Sequence, residues 1–470
     1  MPGDQHVDSA GVLAFLHAMD ARPDIEMHSF MLVRHGHVVA EGWWHPYTAE
    51  RVHLLYSLSK SFTSTAAAFA AAEGLLDLDD TIIHHFPEFE AEITDPRSRA
   101  MRVRDVASMA SGHEQETRGE AVDRDPREPV RGFLLIPPDR PPGTIFTYNQ
   151  PCTYTLGSIV QRNSRLPLTG YLRPRLFDPL GIGEVGWSTL AGREQGFSGL
   201  HARTEDIAKL GQLYLQRGAW NGAQLISRDW VGQATSKQIE TAGRQTNPDW
   251  SQGYGFQFWM ARHGYRGDGA FGQFCIVLPE YDSVVATTAS TSDMQAMLEA
   301  LWTHVLPAMD RPSTDVSAES KLASRLGELA LPAWQGTREP LDWADWSATT
   351  FAVKAAADET PVEQSLTGIR VQPNGAGVQV TLSETDNALT FDVGTRGWAT
   401  STPTDGFQQR IPVATAGGWA DPKTFHIEVI FLETPHRLDV ECSLATGQAT
   451  VTWRVAPPRG LQLAQLHCPH

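Results

Sequence analysis

The hydrophobic pattern of the chain changes near residue 311, and this change most limits the folds that the chain can adopt. Before it, helical spacing alternates with short β-rich runs, whereas the residues after 341 repeat short alternating strands separated by glycine and asparagine turns. The 470 residues are also too many for one ordinary hydrophobic core. We therefore predict two domains, residues 1–310 and 341–470, joined by a linker at 311–340 that contains a short helix.

The first predicted domain has a short β region, a long helical block and a second β region. Its expected elements are a helix over 8–21, a hairpin over 30–40, helices near 102–110, 151–163, 204–217 and 227–235, strands over 254–260, 273–278 and 283–289, and a helix near 293–308. The two β regions can join in one antiparallel sheet. The expected fold class is therefore α/β, with an antiparallel sheet flanked by helices and a helical subdomain beside it.

The second predicted domain contains only strands. Six alternating runs are expected to form it: 369–371, 378–382, 389–393, 426–431, 437–442 and 449–455. Six strands with regular turns are enough to bury a core of their own. We predict an all-β barrel or sandwich that packs against the first domain and does not extend its sheet.

The net charge and the cysteine content limit the possible binding partners and the cellular compartment of the protein. The net charge of −17 opposes binding to nucleic acid or to an anionic membrane. The N-terminus lacks a basic start followed by an apolar run and a cleavage site, which predicts that no signal peptide is present. The four cysteines lie far apart without a CxxC pair, so we expect neither a disulfide framework nor a zinc site. A cytoplasmic protein without metal or organic cofactor is expected.

Ser57 and Lys60 form the sharpest chemical pattern. They begin an alanine-rich helical run that continues through Ala72, with Gly74 as its predicted stop. Residues three apart share a helix face, so the hydroxyl and the amine come within reach of each other. A desolvated lysine with a lowered pKa can remove the proton that makes serine a poor nucleophile. Taken alone, the spacing is more typical of a helix cap at Ser57 followed by a solvated Lys60.

The surrounding sequence resembles the nucleophile region of class C β-lactamases, their esterase relatives and D-alanyl-D-alanine carboxypeptidases. In LLYSLSKSFTSTAAAFAAAEGLLDLDD, an aromatic-Ser-x-x-Lys helix leads into a Glu-Gly-x-Leu-x-Leu-Asp-Asp turn, and MRVRDVASMASGH at 101–113 is similar to a further family stretch in diverged form. The resemblance covers residues 25–308. It implies a β-lactamase/transpeptidase-like fold, with Ser57 as the nucleophile and Lys60 as its proton-handling partner.

The second family motif is Tyr-x-Asn or Tyr-Asn-Ser after a Pro-Gly turn, and the segment PPGTIFTYNQ is similar to it. Tyr148 is the expected tyrosine. A phenolate stabilised by a nearby lysine can relay protons between nucleophile, lysine and leaving group. Gln150 or Asn149 is expected to hydrogen-bond an acyl amide. The alternative for Tyr148 is a buried aromatic side chain whose hydroxyl is satisfied.

The third family motif is Lys/His-x-Gly on an edge strand. Gly267-Asp268-Gly269 matches its spacing, but Gly267 stands where the family has a cation. By the resemblance, these three residues contact substrate, and the N–H groups of Ser57 and Ala270 form the oxyanion hole. Because the missing cation would hold a substrate carboxylate, we expect penicillins to be poor substrates. The alternative is a glycine-rich hairpin without a catalytic role.

The expected function is a serine hydrolase that cleaves an ester or amide of a small molecule or peptide through an acyl-enzyme on Ser57, with Lys60 and Tyr148 as general base and acid. Three alternatives stay open. The same site can transfer the acyl group to an amine or alcohol, it can be that of a true β-lactamase or D,D-peptidase, or the chain can be a non-catalytic ligand-binding member of the fold.

Overall fold

One six-stranded antiparallel sheet organises the first part of the chain in the computed structural model, which describes residues 2–309, 311, 316–337, 343–355, 365–375, 377–457 and 462–469. Its order is β3-β4-β5-β6-β1-β2. In chain order, the main elements are α1 (Ser9–Asp20), β1 (Ile25–Arg34), β2 (His37–Trp43), α2 (Ser59–Ala72), α3 (Gln150–Ser164), α4 (Thr204–Leu215), β3 (Trp259–Met260), β4 (Tyr265–Gly269), β5 (Gln273–Leu278), β6 (Ser283–Thr291) and α5 (Met294–Ala300). The two predicted β regions do join in one sheet.

The sheet carries a different hydrophobic core on each face, because side chains alternate along β1. Met31 and Val33 pack towards α2 and the helical subdomain. Phe30 and Leu32 pack towards the other face, where α1 and α5 lie. Helix α4 packs directly on β6 and β5 of the sheet. The subdomain consists largely of α3 together with shorter helices: Ile82–His85, Pro96–Ala100, Val103–Ala107, Arg118–Arg124, Pro129–Leu134, Leu168–Leu172, Asp178–Leu180 and Arg228–Ala234. Helix α2 lies between the sheet and this subdomain, where small alanine side chains allow close packing on all sides.

The end of α2 and the segment before β3 show how single backbone positions set the element bounds. Gly74 has a φ of +69°, and its N–H donates to the Ala71 carbonyl, which stops the helix where the glycine predicted a stop. The strand expected over 254–260 is shorter in the structure and comprises only Trp259–Met260. Gln257 has a φ of +62°, and this left-handed residue interrupts the extended run.

The second part of the chain forms a nine-stranded sheet that closes almost completely on itself. Its order is β10-β9-β8-β7-β15-β14-β13-β12-β11, with β7 and β15 parallel and the other pairs antiparallel. The strands are β7 (Thr350–Ala355), β8 (Gly368–Asn374), β9 (Gly377–Ser383), β10 (Ala388–Val393), β11 (Ala399–Ser401), β12 (Val413–Asp421), β13 (Thr424–Phe431), β14 (Arg437–Ser443) and β15 (Gln448–Trp453). Near the gap, Thr415 Oγ1 donates to the Asp392 carbonyl at 2.8 Å. The all-β prediction is confirmed.

Buried polar contacts fasten the barrel to the first sheet. Glu26 on β1 pairs with Arg437 at 2.7 Å and with Arg454 at 2.5 Å. The turn formed by residues 432–436, between β13 and β14, docks beside the start of the nucleophile segment, because the Leu54 N–H donates to the Glu433 carbonyl at 2.8 Å. The connecting segment contains helix α6 (Val316–Gly327), which packs on α1. The domain bounds at 310 and 341 fall at or beside undescribed residues and stay a prediction.

Candidate active site

Ser57 lies in a single 3-10 turn, Tyr56–Leu58, that leads directly into α2. Lys60 is in the first turn of α2, so the i to i+3 spacing brings its amine to the serine, with Nζ 3.0 Å from Ser57 Oγ. The same Nζ donates to Gln150 Oε1 at 2.7 Å and to the Phe197 carbonyl at 2.8 Å. The lysine is therefore held in place on three sides.

Burial changes the acid–base behaviour of Lys60. Its side chain is 1% exposed, and desolvation lowers its pKa to about 7. The carboxylates of Asp268 and Glu116 oppose this shift, while Arg118 adds to it. A lysine with a pKa of about 7 is available as a neutral amine at neutral pH, which is the form that can accept the Ser57 proton.

Tyr148 lies under the lysine. Lys60 Nζ is 4.6 Å above the centre of its ring, and the ring stacks on Trp259 at 5.4 Å. Burial, assisted by the Asp268 carboxylate, raises the pKa of Tyr148 above its usual value, although hydrogen bonding with Ser57 acts in the opposite direction. A Tyr148 phenolate is therefore disfavoured at neutral pH, and the hydroxyl keeps its proton.

Asn149 and Gln150 have different surroundings. Gln150 begins α3, accepts from Lys60, and lines the main cavity. Asn149 is buried, and its Oδ1 accepts from both the backbone N–H and the hydroxyl of Thr117, at 2.9 and 3.0 Å. Asn149 thus fixes the backbone immediately before Arg118, whereas Gln150 faces the reacting groups.

Strand β4 places its alternate residues on opposite faces. A Cβ on Gly267 would lie 2.4 Å from Ser61 Oγ, and one on Gly269 would lie 2.0 Å from the Leu55 carbonyl, so both glycines face the nucleophile turn and α2. Asp268 is on the other face, where Arg266 Nε donates to its Oδ2 at 3.0 Å. The glycines thus let β4 approach the backbone beside Ser57.

A cavity of 590 Å³ opens above Ser57. Of the residues expected from sequence, Ser57, Gln150 and Ala270 line it; Lys60, Tyr148, Asn149, Gly267, Asp268 and Gly269 are not part of its lining. The remaining lining residues are Leu54, Tyr56, Arg118, Ser188, Thr189, Gln195, Phe197, Ser198, Gly199, His201, Ala464, Gln465, His467 and Pro469. Ser57 and Ala270, the two residues expected to form the oxyanion hole, both line this cavity.

Two contributions to this cavity have no signal in the sequence. Arg118 is the only lysine or arginine among its described lining residues, and its guanidinium lies 5.2 Å from the centre of the Phe197 ring. The segment Ala464–Pro469 comes from beyond the barrel and forms part of the mouth. This tail packs closely on the first domain, because a Cβ on Gly186 would lie 2.0 Å from the Pro469 carbonyl. Arg118 stands in an ordinary polar stretch, and the tail is remote in sequence from Ser57.

One group of possible metal ligands occurs among the described residues, and it lies on the barrel. His426, Glu428 and Asp439 bring one ligand atom each within 4.8 Å of the others. Arg437 Nη2 lies 2.5 Å from Glu428 Oε1, so a guanidinium already pairs with one carboxylate of this group. The same described part of the chain contains no helix with the length and apolar composition needed to cross a membrane.

Comparison with known proteins places this chain among the hydrolases of the β-lactamase fold. A family model described as Beta-lactamase matches residues 15–310, and the chain belongs to that family. A 6-aminohexanoate-dimer hydrolase of Paenarthrobacter ureafaciens is 25% identical over 300 residues, which cover 58% of this chain and 76% of that protein.

Two solved structures show the same fold. A putative β-lactamase from Bacteroides dorei is 13% identical with a TM-score of 0.55, covering 64% of this chain and 99% of that one. EstCE1, titled a hydrolase with promiscuous acyltransferase activity, is 15% identical with a TM-score of 0.51, covering 62% and 98%. These likenesses confirm the β-lactamase/transpeptidase-like fold that the resemblance implied.

Proposed function

We propose that the chain is a serine hydrolase that cleaves an ester or amide through an acyl-enzyme on Ser57. The observation that carries this proposal is the buried Lys60 amine, 3.0 Å from Ser57 Oγ with a pKa of about 7. Neutral Lys60 accepts the serine proton as Oγ attacks the carbonyl carbon. The N–H groups of Ser57 and Ala270 receive the oxyanion in the cavity.

Tyr148 completes the proton path in this proposal. Burial keeps its hydroxyl protonated at neutral pH, and its ring lies against the Lys60 amine, so it can donate to the leaving oxygen or nitrogen while Lys60 supplies the replacement proton. Water then attacks the acyl carbon with Lys60 again as the base, the bond between Ser57 Oγ and the acyl carbon breaks, and Lys60 returns the proton to Oγ as the acid leaves. Gln150 is positioned to keep Lys60 aimed at Ser57 and to contact the acyl group at the cavity wall.

The substrate class that this site favours is a small amide or ester with a carboxylate. Arg118 brings a positive charge to the cavity, although position 267 does not. The relative from Paenarthrobacter ureafaciens is named for a substrate that has one amide bond and a free carboxylate. We propose that Arg118 pairs with such a carboxylate at the mouth of the cavity. Asn149 supports this position of Arg118, because it fixes the backbone of the adjacent Thr117.

Covalent labelling tests the nucleophile. A fluorophosphonate should label the wild-type protein at Ser57, and Ser57→Ala should lose both labelling and hydrolysis of p-nitrophenyl esters. Lys60→Ala should lower turnover by several orders of magnitude, and Tyr148→Phe by roughly 10²–10⁴-fold. The matched control is Ser188→Ala, which removes another hydroxyl from the same cavity. Labelling of Ser57→Ala at the wild-type rate would overturn the assignment.

A pair of variants tests the carboxylate site. Arg118→Met should lower kcat/KM for a carboxylate-bearing amide by about 10–100-fold, which corresponds to the loss of a charged hydrogen bond. The same variant should leave a neutral amide of equal length almost unaffected, and Arg118→Lys should retain part of the preference. An equal loss on both substrates would mean that Arg118 supports the loop and does not recognise charge.

A further inference from the structure

Two residues with left-handed backbones flank the proposed oxyanion hole. Tyr56, just before Ser57, has a φ of +48°, and Phe271, just after Ala270, has a φ of +72°. This conformation costs a non-glycine residue about 1–3 kcal/mol and persists only where surrounding contacts impose it. The N–H groups of Ser57 and Ala270, which must face an oxyanion, therefore each lie next to a residue with a strained backbone.

The side chains of these two residues meet a third ring, from the barrel. Tyr56 and Phe271 are in edge contact, with ring centres 5.1 Å apart. His436 lies edge-on to both, at 5.9 Å from Tyr56 and 5.6 Å from Phe271. One barrel side chain thus touches both strained positions.

The hydrogen bonds of His436 fix its tautomer. Its Nδ1 lies 3.0 Å from the Val455 carbonyl, which can only accept, so Nδ1 carries the proton. Its Nε2 is then an acceptor, and the Tyr56 hydroxyl donates to it. Burial lowers the pKa of His436 to about 4, which keeps this neutral form at neutral pH.

The backbone that carries His436 is itself anchored. The His436 N–H donates to Thr434 Oγ1 at 3.1 Å, and Thr434 Oγ1 donates to the Phe431 carbonyl at 3.0 Å. The 432–436 turn also receives the Leu54 N–H, as described above. The imidazole is therefore held by a rigid turn that is bonded to the nucleophile segment on one side and to the barrel on the other.

We propose that His436 is a positioning residue for the oxyanion hole: it holds the Tyr56 hydroxyl and the Phe271 ring, and so fixes the N–H groups of Ser57 and Ala270. This inference rests on the proposed function of Ser57. It gives the barrel a role in the reaction that is distinct from the contribution of the tail to the cavity mouth.

Removal of the hydrogen bond from the Tyr56 hydroxyl to His436 Nε2 should weaken transition-state stabilisation more than substrate binding. Tyr56→Phe deletes one oxygen and retains the ring, so the N–H groups should lose alignment without loss of the fold. We expect kcat for ester hydrolysis to fall by about 10–100-fold with KM nearly unchanged, since full removal of one oxyanion donor costs about 10²–10³-fold. The rate of fluorophosphonate labelling should fall by a similar factor, whereas the final stoichiometry stays at one label per chain.

Substitutions at His436 provide the second measurement. His436→Leu should reproduce the kcat loss, and His436→Gln, whose carbonyl oxygen can accept from Tyr56, should recover part of it. Tyr47→Phe is the matched control, because the Tyr47 hydroxyl donates to the Thr434 carbonyl of the same turn at 3.4 Å but does not adjoin Ser57. Its kcat should equal that of the wild type. Unfolding midpoints should be measured for all variants.

The outcomes separate this inference from the proposed function. If Ser57→Ala is inactive but Tyr56→Phe retains wild-type kcat, the positioning role is refuted and the nucleophile assignment stands. If Tyr47→Phe loses as much kcat as Tyr56→Phe, general loosening of the interface explains the effect and the inference is again refuted. If Ser57→Ala is fully active, both proposals fall. Should His436→Leu fail to fold, the single-atom change in Tyr56→Phe decides.

Discussion

Replacing Lys60 by methionine should change the stability of the protein in a pH-dependent way. The lysine is buried in the folded protein with a pKa of about 7, against an ordinary value of 10.5 in the unfolded chain. Between these pH values the unfolded chain retains a proton that the folded protein has released. The free energy of unfolding therefore rises with pH, and the penalty for burying the lysine, which is complete below pH 7, disappears as the pH approaches 10.5.

The linkage relation gives the size of this effect. With pKa values of about 7 and 10.5, the penalty is roughly 4 kcal/mol at pH 7 and roughly 2 kcal/mol at pH 9. Lys60→Met has no such term. The variant also lacks the hydrogen bonds that Lys60 makes to Gln150 and Phe197, and this loss changes the free energy of unfolding by the same amount at every pH. Between pH 7 and pH 9, the free energy of unfolding of the wild type should therefore rise by about 2 kcal/mol relative to that of the variant.

Chemical denaturation of both proteins at several pH values measures this difference, because other titrating groups cancel in the comparison. Lys237→Met is the control: this exposed lysine pairs with Glu240 at the surface, so its difference from wild type should not change over the same range. In the wild type, kcat/KM should also rise with an apparent pKa near 7, as Lys60 loses its proton. A pH-independent difference between wild type and Lys60→Met would refute the lowered pKa and remove the physical basis for Lys60 as the base.

Three further predictions follow from the geometry. Gly267→Ala should lower the free energy of unfolding by roughly 1–3 kcal/mol in denaturant titrations, because its Cβ would lie 2.4 Å from Ser61 Oγ; an unchanged value would mean that β4 and α2 can separate. Hydrolysis of penicillins should stay far below that of simple esters, since position 267 has no cation; comparable turnover would point to another cation, with Arg118 tested first. Limited proteolysis should cut within 311–341 and leave two resistant fragments, whereas cuts scattered through 345–470 would argue against an independent core there.

The sequence correctly predicted those parts of the structure that depend on residues close together in the chain. Ser57 and Lys60 are one helical turn apart, so their contact follows from local geometry. All six strands expected after 341 are present, because each alternates apolar and polar residues as a half-buried strand does. Strands β7, β11 and β12 were not predicted. In β12, the sequence VATAGGWAD offers glycine and alanine instead of β-branched residues. Gly417 is required there by close packing: a Cβ would lie 2.5 Å from the His426 carbonyl.

The rest of the candidate site depends on contacts between distant segments. No local pattern marks Arg118, and only folding brings it to the Phe197 ring beside Lys60. The protonation of Tyr148 likewise depends on burial and on Asp268, which lies in another element. A resemblance transfers residue types at matching positions, but it does not transfer the electric environment in which they titrate.

The cavity has a consequence for the order in which the protein folds. Ser57 lies near one end of the described chain and Gln465 near the other, yet both line the same space. Contacts of such large sequence separation carry a large loop-closure entropy and form late. Helix α2 and the barrel can therefore acquire their backbone structure before the cavity has its full wall. On refolding, circular dichroism should recover first, and esterase activity should return in a later phase that coincides with burial of the 464–469 segment.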